Sequence, residues 1–169
     1  MCNSIAAIME QCGANPGGIA PKVWGARKVD IESIPSATGL IVSGDIVMKT
    51  GKYFVPWDLE LDSGSLKTVT EGSLFNPSFK TNLGFKIPRN NPTVDVPVQD
   101  SIGQAMVFIV RENSGHLRIT GSLERGAYVG FKVDSGTKGA DFAGKEFDIL
   151  WDSQKELPYY YTGDLPIAA

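Results

Sequence analysis

The run Gly139-Ala-Asp-Phe-Ala-Gly144-Lys145 has the glycine and lysine spacing of a phosphate-cradling loop. Such a loop needs inward-turned backbone N–H groups, a lysine, a Ser or Thr hydroxyl for the magnesium ion, and a helix whose N-terminus faces the anion. Here Glu146 stands where the hydroxyl is required, and Phe147 to Trp151 reads as a strand. Phosphate chemistry is therefore not expected there. The run Cys12-Gly-Ala-Asn-Pro-Gly-Gly18 raises the same question. Pro16 and Pro21 hold the chain extended into the strand-like Lys22-Val-Trp24, so this run reads as a hinge in an N-terminal arm.

Other oxygen- and nitrogen-bearing side chains fall short of a site in similar ways. Asp134 to Asp141 is rich in oxygen ligands but lacks the twelfth-position Glu and the dense acids of a calcium loop, and reads as a surface connection. The single histidine, His116, follows the turn signal Asn113-Ser-Gly115, and no G-x-S-x-G elbow supplies a nucleophile for it. Cys2 and Cys12 are read as free thiols, because a zinc site would need further ligands and His116 is distant in sequence. No catalytic constellation, metal or cofactor is expected. Trp24, Trp57 and Trp151, with Tyr159 to Tyr161, could stack on a sugar, although aromatic residues at strand positions are more commonly core or interface.

The elements that would position these residues are short and mostly extended. With 169 residues the chain suits one domain, and 42% hydrophobic with 21% charged residues excludes global disorder. A net charge of −3 provides no basic footprint for gripping nucleic acid, and no segment is long and apolar enough to span a bilayer. Nineteen glycines and ten prolines punctuate runs of Val, Ile, Phe, Tyr and Trp, the pattern of an antiparallel β domain. The expected fold is mainly β: an antiparallel sandwich or barrel over residues 22–169, preceded by an arm over 1–21, with one flanking α-helix and a long protruding hairpin.

The hairpin is expected over 52–72. In KYFVPWDLELD, Tyr53, Val55, Trp57, Leu59 and Leu61 alternate with Asp58, Glu60 and Asp62, and SLKTVTE would return as the second arm. Pro56 argues for an edge position, and so long an edge in a lone monomer calls for cover by another chain. The helix is expected at about 97–106, capped by Asp100 or Ser101 and feeding the strand MVFIVRE.

Residues 107–164 run strand, Asn-Gly turn, strand, Gly126-centred turn, strand, glycine-rich loop, last strand and aromatic tail. With Glu112-Asn-Ser-Gly115 at the first turn, and Ser135-Gly136, Asp141 and Gly144 in the loop, this order resembles the second half of major tail tube proteins of long-tailed bacteriophages, particularly those of Bacteroidetes. The resemblance implies a structural virion protein of the tail, assembled in the bacterial host cytoplasm. Its partners would be itself, in stacked hexameric rings, other tail proteins, and viral DNA passing through the lumen without specific binding. It further implies that Asp58, Glu60 and Asp62 face the lumen. Tyr53, Val55, Trp57, Leu59 and Leu61, with Ile5, Ile8, Gly136 and Asp141, would then mediate contacts between subunits or rings. Residue types alone also admit a β-sandwich module binding a glycan or cell surface, and other virion roles such as a head decoration or tail terminator protein.

Overall fold

The computed structural model describes residues 7–8 and 13–168. Among these residues twelve strands and one α-helix, with a single 3-10 turn at Lys28–Asp30, form in the order β1 (Ile19–Arg27), β2 (Ile31–Ser33), β3 (Ile41–Val42), β4 (Val47–Met48), β5 (Val55–Asp58), β6 (Ser65–Ser73), β7 (Asn76–Pro88), α1 (Pro92–Ser101), β8 (Met106–Glu112), β9 (Leu117–Thr120), β10 (Tyr128–Asp134), β11 (Gly144–Asp152) and β12 (Tyr159–Tyr161). A six-stranded sheet has the order β3-β12-β9-β8-β1-β5, a four-stranded sheet the order β10-β11-β7-β6, and β2 pairs with β4. All pairings are antiparallel except β12 with β3. The expected antiparallel β fold with one helix is thus present.

The six-stranded sheet is covered on both faces, which explains why MVFIV is apolar without alternation. Met106, Phe108 and Val110 face the four-stranded sheet, where they meet Leu83, Phe85, Ile87, Phe147 and Ile149. Val107 and Ile109 point the other way, into a second core with Trp24, Ile31, Val42, Ile46, Phe54 and Tyr161. The four-stranded sheet has one covered face, so β11 alternates strictly: Lys145, Phe147, Ile149 and Trp151 are buried, while Glu146, Asp148, Leu150 and Asp152 are exposed.

Two expected elements lie elsewhere. The helix runs over Pro92–Ser101, so Ser101 is its last residue and its cap is Asn91. The Asn91 side chain accepts the Val94 N–H at 3.0 Å, and Pro92 sits where a missing N–H costs nothing. The hairpin expected over 52–72 does not form. The four residues of β5 pair with β1, Val23 opposite Trp57 and Gly25 opposite Val55, in the six-stranded sheet, whereas β6 pairs with β7 in the other. Pro56 keeps β5 at an edge as expected, and the chain then changes sheets at a corner. Asp62 has φ 58, and Gly64 lies so close to Ile19 that a Cβ there would come within 2.2 Å of its side chain. The long hairpin is instead β6–β7, Ser65 to Pro88, turning at Leu74-Phe75. The arm is also shorter than expected, because β1 already begins at Ile19, which is buried.

Tyr161 locks the second core. Its hydroxyl donates to the Asp164 carbonyl and accepts the buried Ile46 N–H at 3.2 Å. Burial pushes the phenol above its ordinary value, the Ile46 N–H opposes that rise, and the Asp45 and Asp164 carboxylates reinforce it. Because the folded state holds this proton more tightly than the unfolded chain, the contribution is complete below about pH 10 and is lost as pH rises through the folded value. Tyr161→Phe leaves the Ile46 N–H without its acceptor and should cost about 1–3 kcal/mol at pH 7. Urea melts from pH 7 to 11 should show the gap between wild type and variant narrowing above about pH 10.

Candidate self-assembly interface

Among the described residues both edges of the four-stranded sheet are open: β6 and β10 each pair on one side only. They are nine and seven residues long, far longer than the two-residue edge β3 of the other sheet. Rows of unpaired N–H and C=O groups on such strands are templates for pairing with another chain. Since neighbours in β10-β11-β7-β6 are all antiparallel, β6 runs opposite to β10. Laying β6 of one copy beside β10 of the next therefore continues the antiparallel alternation, and one rotation applied repeatedly can close the sheet on itself.

The outward face of this sheet is polar. It presents Lys67, Val69 and Glu71 from β6, Lys80, Asn82 and Lys86 from β7, Glu146, Asp148, Leu150 and Asp152 from β11, and Tyr128, Lys132 and Asp134 from β10. Five carboxylates thus share it with four ammonium groups. Glu146 lies directly between Lys132 and Lys86, an arrangement that stabilises the sheet. Asp148 lies between Gly130 and Gly84, so no neighbouring side chain covers its carboxylate from either side. The alternation of KEFDILWD is the signal for this face in the sequence.

The residues singled out in sequence fall into separate groups. Asp58 is exposed on β5, 3.3 Å from Lys22, while Glu60 and Asp62 are exposed in the corner that follows. None lies in a strand of the four-stranded sheet, although the Glu60 N–H donates to the Lys86 carbonyl of β7 at 2.8 Å. Of the proposed apolar row, Leu59 is buried and Trp57 half-buried, packed edge-on to Phe85 and Phe108, whereas Tyr53, Val55 and Leu61 are exposed. Trp57 and Leu59 thus belong to this chain's own core. Ile8 is exposed; Ile5, Cys2 and Cys12 lie outside the described residues. In the loop after β10, Asp141 accepts the Thr137 and Lys138 N–H groups at 3.0 and 2.7 Å, and the Gly136 N–H donates to Asp134. These carboxylates are committed to shaping the loop.

The phosphate-loop lookalike is structural too. Lys145 lies in β11, 1% exposed, with its ammonium donating to Asp95 and, at 3.3 Å, to Asn90, which ties α1 to the sheet. In the glycine-rich arm, Asn113 donates through its side chain to the Gly17 carbonyl at 2.7 Å and through its backbone to that of Gly18 at 3.1 Å. His116 is exposed and meets Tyr160 edge-on at 5.4 Å. Trp24 and Trp151 are buried and Trp57 is packed in the core, so the three form no exposed stacking platform. Among the described residues no helix is long and apolar enough to cross a membrane.

No protein-family model, curated protein or solved structure matches the chain.

Proposed function

We propose that this chain is a structural virion protein that joins head to tail into rings, which stack as a phage tail tube conducting DNA. The observation that carries the reading is a four-stranded antiparallel sheet with two long open edges of opposite direction, one apolar face and one polar face. Closing it into a barrel removes both edges at once. The covered face already packs on the six-stranded sheet, so the polar face lines the channel. Five carboxylates against four ammonium groups per copy give that lining a slight negative charge, which disfavours retention of phosphate. The lumen residues are then Glu146 and Asp148, with Asp58, Glu60 and Asp62 outside the channel.

Mass photometry and electron microscopy across a range of protein concentrations test this directly. Rings or tubes with a central channel are expected. Rings that never stack would favour a head decoration or tail terminator protein, and a monomer at every concentration would overturn the reading in favour of a binding module.

A further inference from the structure

The hairpin β6–β7 extends past the rest of its sheet. β11 pairs with β7 only from Lys80 onward, so residues 71–78 form a two-stranded ribbon with Leu74 and Phe75 at its tip. These side chains are 88% and 93% exposed. Two-residue hairpin turns favour Asn, Asp and Gly, and Leu-Phe offers none of their turn chemistry. A sequence that departs from local preference to expose two large apolar side chains marks a contact.

A matching recess lies on the same chain. Val55 and Trp57 of β5, Ile87 at the end of β7, and Val94 and Pro97 of α1 line an apolar groove of about 260 Å³. The tip lies at one end of the thirteen-residue β7 and Ile87 near the other, up to about 40 Å away at strand rise, so a molecule cannot fill its own groove. Knob and groove at opposite ends of one strand make a heterologous pair, which repeats along the strand direction when copies are stacked.

We propose that Leu74 and Phe75 of one copy seat in the β5–α1 groove of a copy in the next ring, forming the joint along which rings stack. This rests on the ring reading above and assigns a residue pair to its axial contact. A second copy of this chain accounts for both features, whereas a bilayer would occupy the tip and leave the groove open.

Phe75→Asp tests the joint, because the side chain is exposed and its replacement leaves the monomer's core intact. Rings should still form, while the protein concentration needed for stacks rises by about tenfold or more. In a Cys2→Ser, Cys12→Ser background, Phe75→Cys with Thr93→Cys should give a ladder of disulfide-linked multimers on oxidation, since exposed Thr93 borders the groove. Normal tubes from Phe75→Asp without the ladder would overturn the joint and leave the ring reading standing. Loss of rings in Phe75→Asp would overturn it by placing the tip within the ring. Sedimentation of wild type, but not Phe75→Asp, with phosphatidylcholine vesicles would assign the tip to lipid instead. Wild type that forms no rings would defeat the ring reading itself.

Discussion

Phe147→Ala should cost about 3–5 kcal/mol, a large part of the roughly 5–15 kcal/mol that holds a domain of this size together. Phe147 is 2% exposed and stacks on Phe85 with ring centroids 4.9 Å apart and planes 19° from parallel. On its other side Phe131 approaches to 5.8 Å, so β10, β11 and β7 contribute one continuous aromatic row, Phe131–Phe147–Phe85. Trp57, from the six-stranded sheet, meets Phe147 at 5.5 Å and Phe108 at 5.6 Å, bridging the row to the facing layer. Alanine would open a cavity where four strands of two sheets meet, and the paired backbones on either side limit its collapse. The urea midpoint should fall sharply with an unchanged m-value. Phe147→Leu, which keeps most of the volume, should recover more than half of the loss; a cost below about 1.5 kcal/mol for alanine would mean that the sheets are held together elsewhere.

How far these positions could be read in advance depended on how many layers each strand contacts. In β11 the alternation Lys-Glu-Phe-Asp-Ile-Leu-Trp-Asp is legible because only one face is covered. In β8 the continuous run MVFIV is equally regular but carries no face information, since cores lie on both sides of it. The helix lies earlier than expected because Asp100 and Ser101 carry capping side chains just as Asn91 does. Five helical residues precede Pro97, and the Asn91-Pro92 start is the stronger signal. The hairpin failed for a tertiary reason. KYFVPWDLELD alternates as a strand should, yet nothing local states whether it pairs with the strand after it or with β1 some thirty residues earlier. Gly64 leaves room for Ile19 at the corner that separates β5 from β6, a contact that exists only in the folded chain.

The same period of two that buries Phe147 turns Glu146 and Asp148 outward, so the lumen assignment can be tested one residue to either side of the core. Glu146→Gln with Asp148→Lys changes the polar face from five carboxylates against four ammonium groups to three against five, moving each copy from a net −1 to +2. The choice of residues follows from their neighbours. A lysine at 146 would face Lys132 and Lys86 directly and strain the sheet, so only its charge is removed, at a cost of about 0.2–1 kcal/mol for the lost pairs. Position 148, between two glycines, accepts the longer side chain without a clash across the strands. Tubes should therefore assemble as before, but with a cationic lining that repeats in every copy of every ring. Short duplex DNA that passes wild-type tubes freely should be retained by the variant, and retention should weaken steeply with salt, by about 0.9 in log K per log salt for each phosphate neutralised. Asp58→Lys with Glu60→Lys reverses charges on β5 and in the corner after it; once electron microscopy shows that tubes still form, a check needed because Asp58 borders the β5–α1 groove, DNA passage should be unchanged. Retention by the second pair and not the first would put β5 at the channel wall and turn the four-stranded sheet outward.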